Sequence, residues 1–136
     1  MKTILNLNIL IAFSTLVLLT QCKKNDIIYN SYFYTTMPSS ETELSLYLDK
    51  KYRGEIPYVK NKPTCDNDTS KQKALFLNLK PGKYKLEAKN KQGEIKSSAT
   101  IKVTEKILSA SGDGGGGGGG TTSNKEGECL IIGVFY

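Results

Sequence analysis

The chain reads as an all-β protein, a small β-sandwich behind an N-terminal signal segment. Three observations carry this. Apolar and polar residues alternate at Leu44, Leu46 and Leu48, at Leu75, Leu77 and Leu79, and at Tyr84, Leu86 and Ala88. A period of two marks strands with one buried face. Turn-forming residues punctuate these runs at Asp49-Lys50, at Lys80-Pro81-Gly82 and between Asn90 and Gly93. No convincing helical pattern follows the signal.

The elements follow in order. Residues 1–21 start with Lys2, continue as a mostly apolar run over 4–19, and break at Cys22-Lys23-Lys24. A basic start, a short apolar core and a polar break make a signal peptide. An uncleaved anchor and plain secretion are the competing readings. A spanning helix needs about 20 apolar residues, and Asn6, Asn8, Ser14, Thr15, Thr20 and Gln21 interrupt this run. Residues 22–40 hold a flexible tether and a first strand. Tyr29, Tyr32, Phe33, Tyr34, Thr35 and Thr36 favour extended chain. This aromatic cluster reads as a strand laid against the sandwich, with a sticky protein contact as the alternative.

Residues 41–136 are the sandwich domain. The Leu44 strand turns at Asp49-Lys50-Lys51 and returns from Tyr52, with Gly54 at a bulge and Pro57 marking an edge. Residues 60–72 are polar and form a long connection carrying Cys65. After the Leu75 strand, Lys80-Pro81-Gly82-Lys83 has the residues of a type II turn. Ile95, Ala99, Ile101 and Val103 line the inner face of another strand. Residues 109–127 are low-complexity, with an unbroken glycine run at 114–120, and read as a mobile Gly-rich loop. Residues 130–136 are a continuous apolar run, so they read as a strand covered on both faces and inserted into the sheet. About seven short strands with turns between them suggest a sandwich of the immunoglobulin or transthyretin kind.

Charge narrows the function classes. Nineteen Lys and Arg stand against 13 Asp and Glu, a net charge of +6. The excess is lysine, since Arg53 is the single arginine. Bidentate recognition of phosphates and bases leans on arginine, so no nucleic-acid partner is expected. The chain has no His and no Trp, which removes the commonest general base and transition-metal ligand. No cofactor or metal is expected. Lys83, Lys85, Lys89, Lys96 and Lys102 alternate outward on neighbouring strands. They read as a solvated strand face that blocks edge aggregation, with a contact for an anionic surface or polymer such as lipopolysaccharide phosphates as the alternative.

Of the three cysteines, Cys22 sits at the signal boundary, which leaves Cys65 and Cys129. Two cysteines in an exported domain read as a disulfide, with two free thiols as the alternative. Closing so long a loop stabilises the fold by roughly 4 kcal/mol.

Leu19-Thr20-Gln21-Cys22 resembles the lipobox of bacterial lipoproteins, in which an apolar residue stands three places before a cysteine. The resemblance implies cleavage between Gln21 and Cys22 and a lipid on Cys22. The family usually has Gly, Ala or Ser where this chain has Gln21. A second stretch, Leu46-Tyr47-Leu48-Asp49-Lys50-Lys51-Tyr52-Arg53-Gly54-Glu55-Ile56-Pro57, looks like the first half of a PEGA repeat. Leu79-Lys80-Pro81-Gly82-Lys83-Tyr84-Lys85-Leu86-Glu87-Ala88 is similar to its second half. Lys50 stands where that family often has glycine, and 60–72 is an insertion. The layout also resembles small Bacteroidetes-type envelope lipoproteins. These likenesses imply a small extracytoplasmic β module concerned with attachment or protein contacts.

No reaction chemistry gathers in the sequence. Asp66-Asn67-Asp68-Thr69-Ser70 offers alternate oxygens, but a calcium loop then needs Gly and Glu where Lys71 and Leu77 stand. It reads as a solvated Asx-rich turn. The glycine run is followed by Thr121-Thr122-Ser123 without the Lys of a phosphate-binding loop. Carboxylates are scattered singly, so catalysis is not expected. The expectation is a non-catalytic cell-envelope module, held at the membrane by an N-terminal lipid and facing the periplasm or the surface. It binds a protein or envelope polymer. An inhibitor or adaptor of an envelope enzyme is the alternative, and an enzyme fragment a further one.

Overall fold

The computed structural model of the chain describes residues 27–38, 43–104, 108–112 and 121–136. Residues 1–21, expected to be a signal segment, Cys22 and the glycine run at 114–120 lie outside the described residues. The described elements are β1 (Tyr29–Tyr34), β2 (Leu44–Leu48), β3 (Lys51–Ile56), α1 (Asp68–Lys71), β4 (Leu75–Leu79), β5 (Gly82–Lys89), β6 (Ile95–Val103), β7 (Leu108–Gly112), β8 (Thr121–Glu126) and β9 (Cys129–Val134).

They form two packed sheets, ordered β4-β1-β9-β8 and β3-β2-β5-β6-β7. This is the all-β sandwich that the alternation predicts. Leu44, Leu46 and Leu48 of β2, with Leu86 and Ile101 from β5 and β6, are buried against Tyr29 and Phe33 of β1 and Leu130, Ile132 and Val134 of β9. Every second residue of these strands points inward, as the two-residue period requires.

β9 lies between β1 and β8, parallel to β1 and antiparallel to β8. Its run of apolar residues is covered on both faces. Leu130 and Ile132 face the main core. Ile131 faces outward into a second cluster with Tyr34 and Val59, joined by Tyr32, Ala74, Cys65 and Cys129. The connection at 57–74 supplies this cover. Val59 donates its N–H to the Thr35 carbonyl (2.8 Å), and Cys65 is bonded to Cys129 with Cα atoms 5.9 Å apart. The predicted disulfide is present. The polar insertion is thus a lid on one sheet rather than a free connection.

Three further expectations are corrected. The segment 109–127 is not all loop, because β7 and β8 occupy its flanks, hydrogen-bonded to β6 and β9. They bring the strands to nine among the described residues, and α1 adds one helical turn. Lys80-Pro81-Gly82-Lys83 is not a type II turn. That turn needs a positive φ at its glycine, and here positive φ occurs at Gly54, Gly93 and Gly127 but not at Gly82. Leu79 and Gly82 belong to different sheets, so Lys80-Pro81 is a crossing between layers.

Asp49 and Lys50 do turn the chain, at φ of 50° and 67°. Two left-handed residues in a two-residue loop suit the twist of a hairpin. The Asp49 N–H donates to the Lys85 carbonyl, and its Oδ1 accepts the Lys85 N–H, both at 2.8 Å. The Gly54 bulge is present: Leu46 pairs with Gly54 but Tyr47 with Tyr52, leaving Arg53 as the extra residue. β3 is an edge strand, as Pro57 predicts.

Candidate functional site

The outer face of the five-stranded sheet is built from the residues that alternate with its core. All five predicted lysines stand on it, and the structure divides them. Glu87 holds two: its Oε1 lies 3.3 Å from Lys85 Nζ and its Oε2 lies 3.1 Å from Lys89 Nζ. Lys96 Nζ lies 2.9 Å from Glu94 Oε2. Lys83 and Lys102 are directly opposite each other in register and have no ion pair among the described residues. The expected five-lysine patch is therefore neutralised over most of its length.

Next to Glu87 the face becomes aromatic. Lys89 Nζ sits 4.6 Å from the centre of the Tyr47 ring, within cation–π range. Tyr47 meets Tyr52 edge to face, with centroids 5.7 Å apart. They meet because the two-residue turn sets them opposite each other on β2 and β3. The Tyr52 hydroxyl donates to Glu55 Oε1 (2.9 Å), and Ser45 Oγ donates to the same oxygen (3.0 Å). One strip thus runs across three strands from Lys85 through Glu87, Lys89, Tyr47 and Tyr52 to Glu55. Its charges are two of each sign. Tyr52 is 56% exposed, so its ring presents apolar surface ringed by donors and acceptors.

The ionisable groups of the strip are committed to one another. Burial alone would raise the Glu87 carboxyl, but hydrogen bonds from Lys89 and Lys85 outweigh it and hold it below the ordinary glutamate value. The Tyr52 hydroxyl is raised, chiefly by its hydrogen bond to Glu55. At the far end of the face, the hydrogen bond from Lys96, then that from Asn90, lowers Glu94.

Glu55 also lines a cleft of about 490 Å³ at the rim of the sandwich. Met37, Pro57, Tyr58 and Tyr136 give it apolar walls, and Glu43 a second carboxylate. Tyr58 is 54% exposed. The strip and the cleft are continuous through Glu55.

The Asp66–Ser70 stretch is engaged in capping. Asn67 Oδ1 accepts the Ser70 N–H (3.0 Å), Ser70 Oγ donates to the Asn67 carbonyl (2.8 Å), and Asp68 is 2.8 Å from Lys71 Nζ. Among the described residues no group of three His, Cys, Asp or Glu is placed to hold a metal. Cys22 lies outside the described residues.

Sequence reasoning placed lysines on this face but missed Ser45, Tyr47, Tyr52 and Glu55 as a group. The available signal was the polar half of the β2 alternation, read across a two-residue turn. No family model matches the chain, and neither a curated protein nor a solved structure matches it.

Proposed function

We propose that the chain is a lipid-anchored, non-catalytic β-sandwich module of the bacterial cell envelope. It binds a protein or envelope component through the open face of its five-stranded sheet. The observation that carries the binding reading is the exposed Tyr47–Tyr52 pair, set in the Lys85-to-Glu55 strip. Tyrosine combines an apolar body with a polar tip and is enriched at interfaces. The non-catalytic reading is supported by the carboxylates of the strip, each taken by named partners. The anchoring reading is supported by the signal-like run ending at Cys22 and by the disulfide, which suits an oxidising compartment.

A photo-crosslinking residue at Tyr52 tests the face in intact cells. The same probe at Asn78, exposed on the other sheet, is the control. Adducts are expected from position 52 and not from 78; equal capture overturns the assignment of the face. Cys22→Ser tests the anchor, with unprocessed or released protein expected. A mature N-terminus at another residue, carrying no lipid, overturns it.

A further inference from the structure

Cys22 precedes the first residue of β1 by seven positions. Fully extended, that stretch reaches about 25 Å, at about 3.3–3.6 Å per residue. The register identifies what shares the end of the sandwich where β1 begins. Tyr29 pairs with Leu79 at the end of β4, and Asn30 with Cys129 at the start of β9. Lys80-Pro81 crosses directly to Gly82, which pairs with Val103 at the end of β6. Asp49 pairs with Lys85, so the β2–β3 turn points to the same end.

Five exposed lysines therefore gather there: Lys50, Lys51, Lys80, Lys83 and Lys102. Acidic residues placed at this end include Asp49, which accepts the Lys85 amide, Glu128 before β9, Glu126 opposite Cys129, and Asp66 beside Cys65. Lys83 and Lys102 sit opposite each other, an arrangement that destabilises a sheet unless an anion relieves it. Ile28, 45% exposed, adds an apolar side chain just before β1.

We propose that this lysine-bearing end of the sandwich docks on a surface of anionic lipid headgroups. The argument uses tether length, the place where the tether meets the fold, and charge complementarity; it rests on the Cys22 anchor proposed above. Each lysine brought to such a surface strengthens partitioning about fivefold. The strip starts beside this end at Lys85 and Tyr52 and climbs the side of the sandwich to Glu55, whose end stays clear of the lipid and open to a partner.

Lysine-reactivity footprinting of the full chain, read by mass spectrometry, tests this. The protein is compared in detergent, on phosphatidylcholine vesicles, and on vesicles with about a third phosphatidylglycerol. On the anionic vesicles, Lys50, Lys51, Lys80, Lys83 and Lys102 are expected to lose reactivity several-fold. Lys60 and Lys91, at the opposite end, are expected to keep theirs. The protection should fade in about 1 M salt, where screening shortens to about 3 Å. Lys83→Glu with Lys102→Glu should abolish the protection of Lys50, Lys51 and Lys80 with the melting temperature kept. Equal reactivity at both ends on anionic vesicles, or protection that ignores salt and the charge reversals, overturns the docking end. The same peptide maps read the Cys22 mass. An unmodified Cys22 overturns the anchor alone, while salt-sensitive protection of the five lysines in protein added from solution still upholds the end.

Discussion

Gly54 of β3 lies under Leu75 of β4, so close that a Cβ on the glycine would come within 2.8 Å of Leu75 Cδ1. Gly54 also holds φ at +141°, a region that side chains rarely enter. This contact joins the edges of the two sheets. Gly54→Ala is expected to destabilise the fold by about 1–3 kcal/mol, read as a lower urea midpoint. Leu75→Ala should not rescue it, because the backbone angle remains. Full rescue would show that crowding, not φ, is the constraint.

Lys50 is the second half of a left-handed turn, at φ of 67°. An L side chain pays roughly 1–2 kcal/mol there that glycine does not. Glycine gives part of this back through its more flexible unfolded chain. Lys50→Gly should therefore raise stability by about 0.5–1 kcal/mol, with an unchanged denaturant slope. A lower midpoint would contradict the turn geometry.

The Cys65–Cys129 bond fastens the lid, with its Val59, over Tyr34 and Ile131. Replacing both cysteines with serine should cost about 2–4 kcal/mol. Proteolysis should then begin within residues 60–72, before the sheets open. A non-reducing peptide map should contain the single linked pair. Free-thiol labelling of both residues in denatured, unreduced protein would refute the bond.

The depressed Glu87 and Glu94 carboxyls make stability depend on pH. A folded value below the unfolded one contributes stability that is fully present above the unfolded value, 4.5 for glutamate, and lost as pH falls through the folded value. Melting temperature should decline as pH drops below about 4.5. Glu87→Gln should shallow that decline, while Lys85 and Lys89 lose their shared partner. A slope identical to that of the parent protein would show that Glu87 does not contribute.

What the sequence disclosed follows from which faces are buried. The Leu-x-Leu-x-Leu of β2 and the alternation of β5 and β6 are legible because one side of each strand meets the core. β9 is legible as doubly covered, but its outer cover is not, because 57–74 is mostly polar and brings Val59, Cys65 and Ala74 to the outer cluster without any apolar rhythm. β7 and β8 carry Ser, Gly and Thr in place of an apolar rhythm; partner strands, rather than their own residues, draw them into the sheets. Pro81-Gly82 has the same composition whether it reverses a hairpin or crosses layers. The lysines on the open face were visible one by one. Their pairing with Glu87 and the Tyr47–Tyr52 contact depend on register between strands, which alternation within one strand does not encode.

The parallel pairing of β1 with β9 sets an order of assembly. Synthesised from its N-terminus, the chain can close β2 on β3 and β5 on β6 as local hairpins while still emerging. The sheet that receives β1 cannot close until residue 134 exists, because β9 separates β1 from β8. Non-local pairing of this kind is slow to form. Until then β1 has a bare edge, the kind of strand that chaperones shield and proteases find. A chain cut anywhere before β9 would leave that edge of β1 open, so the cost of such a cut falls on a strand about a hundred residues upstream.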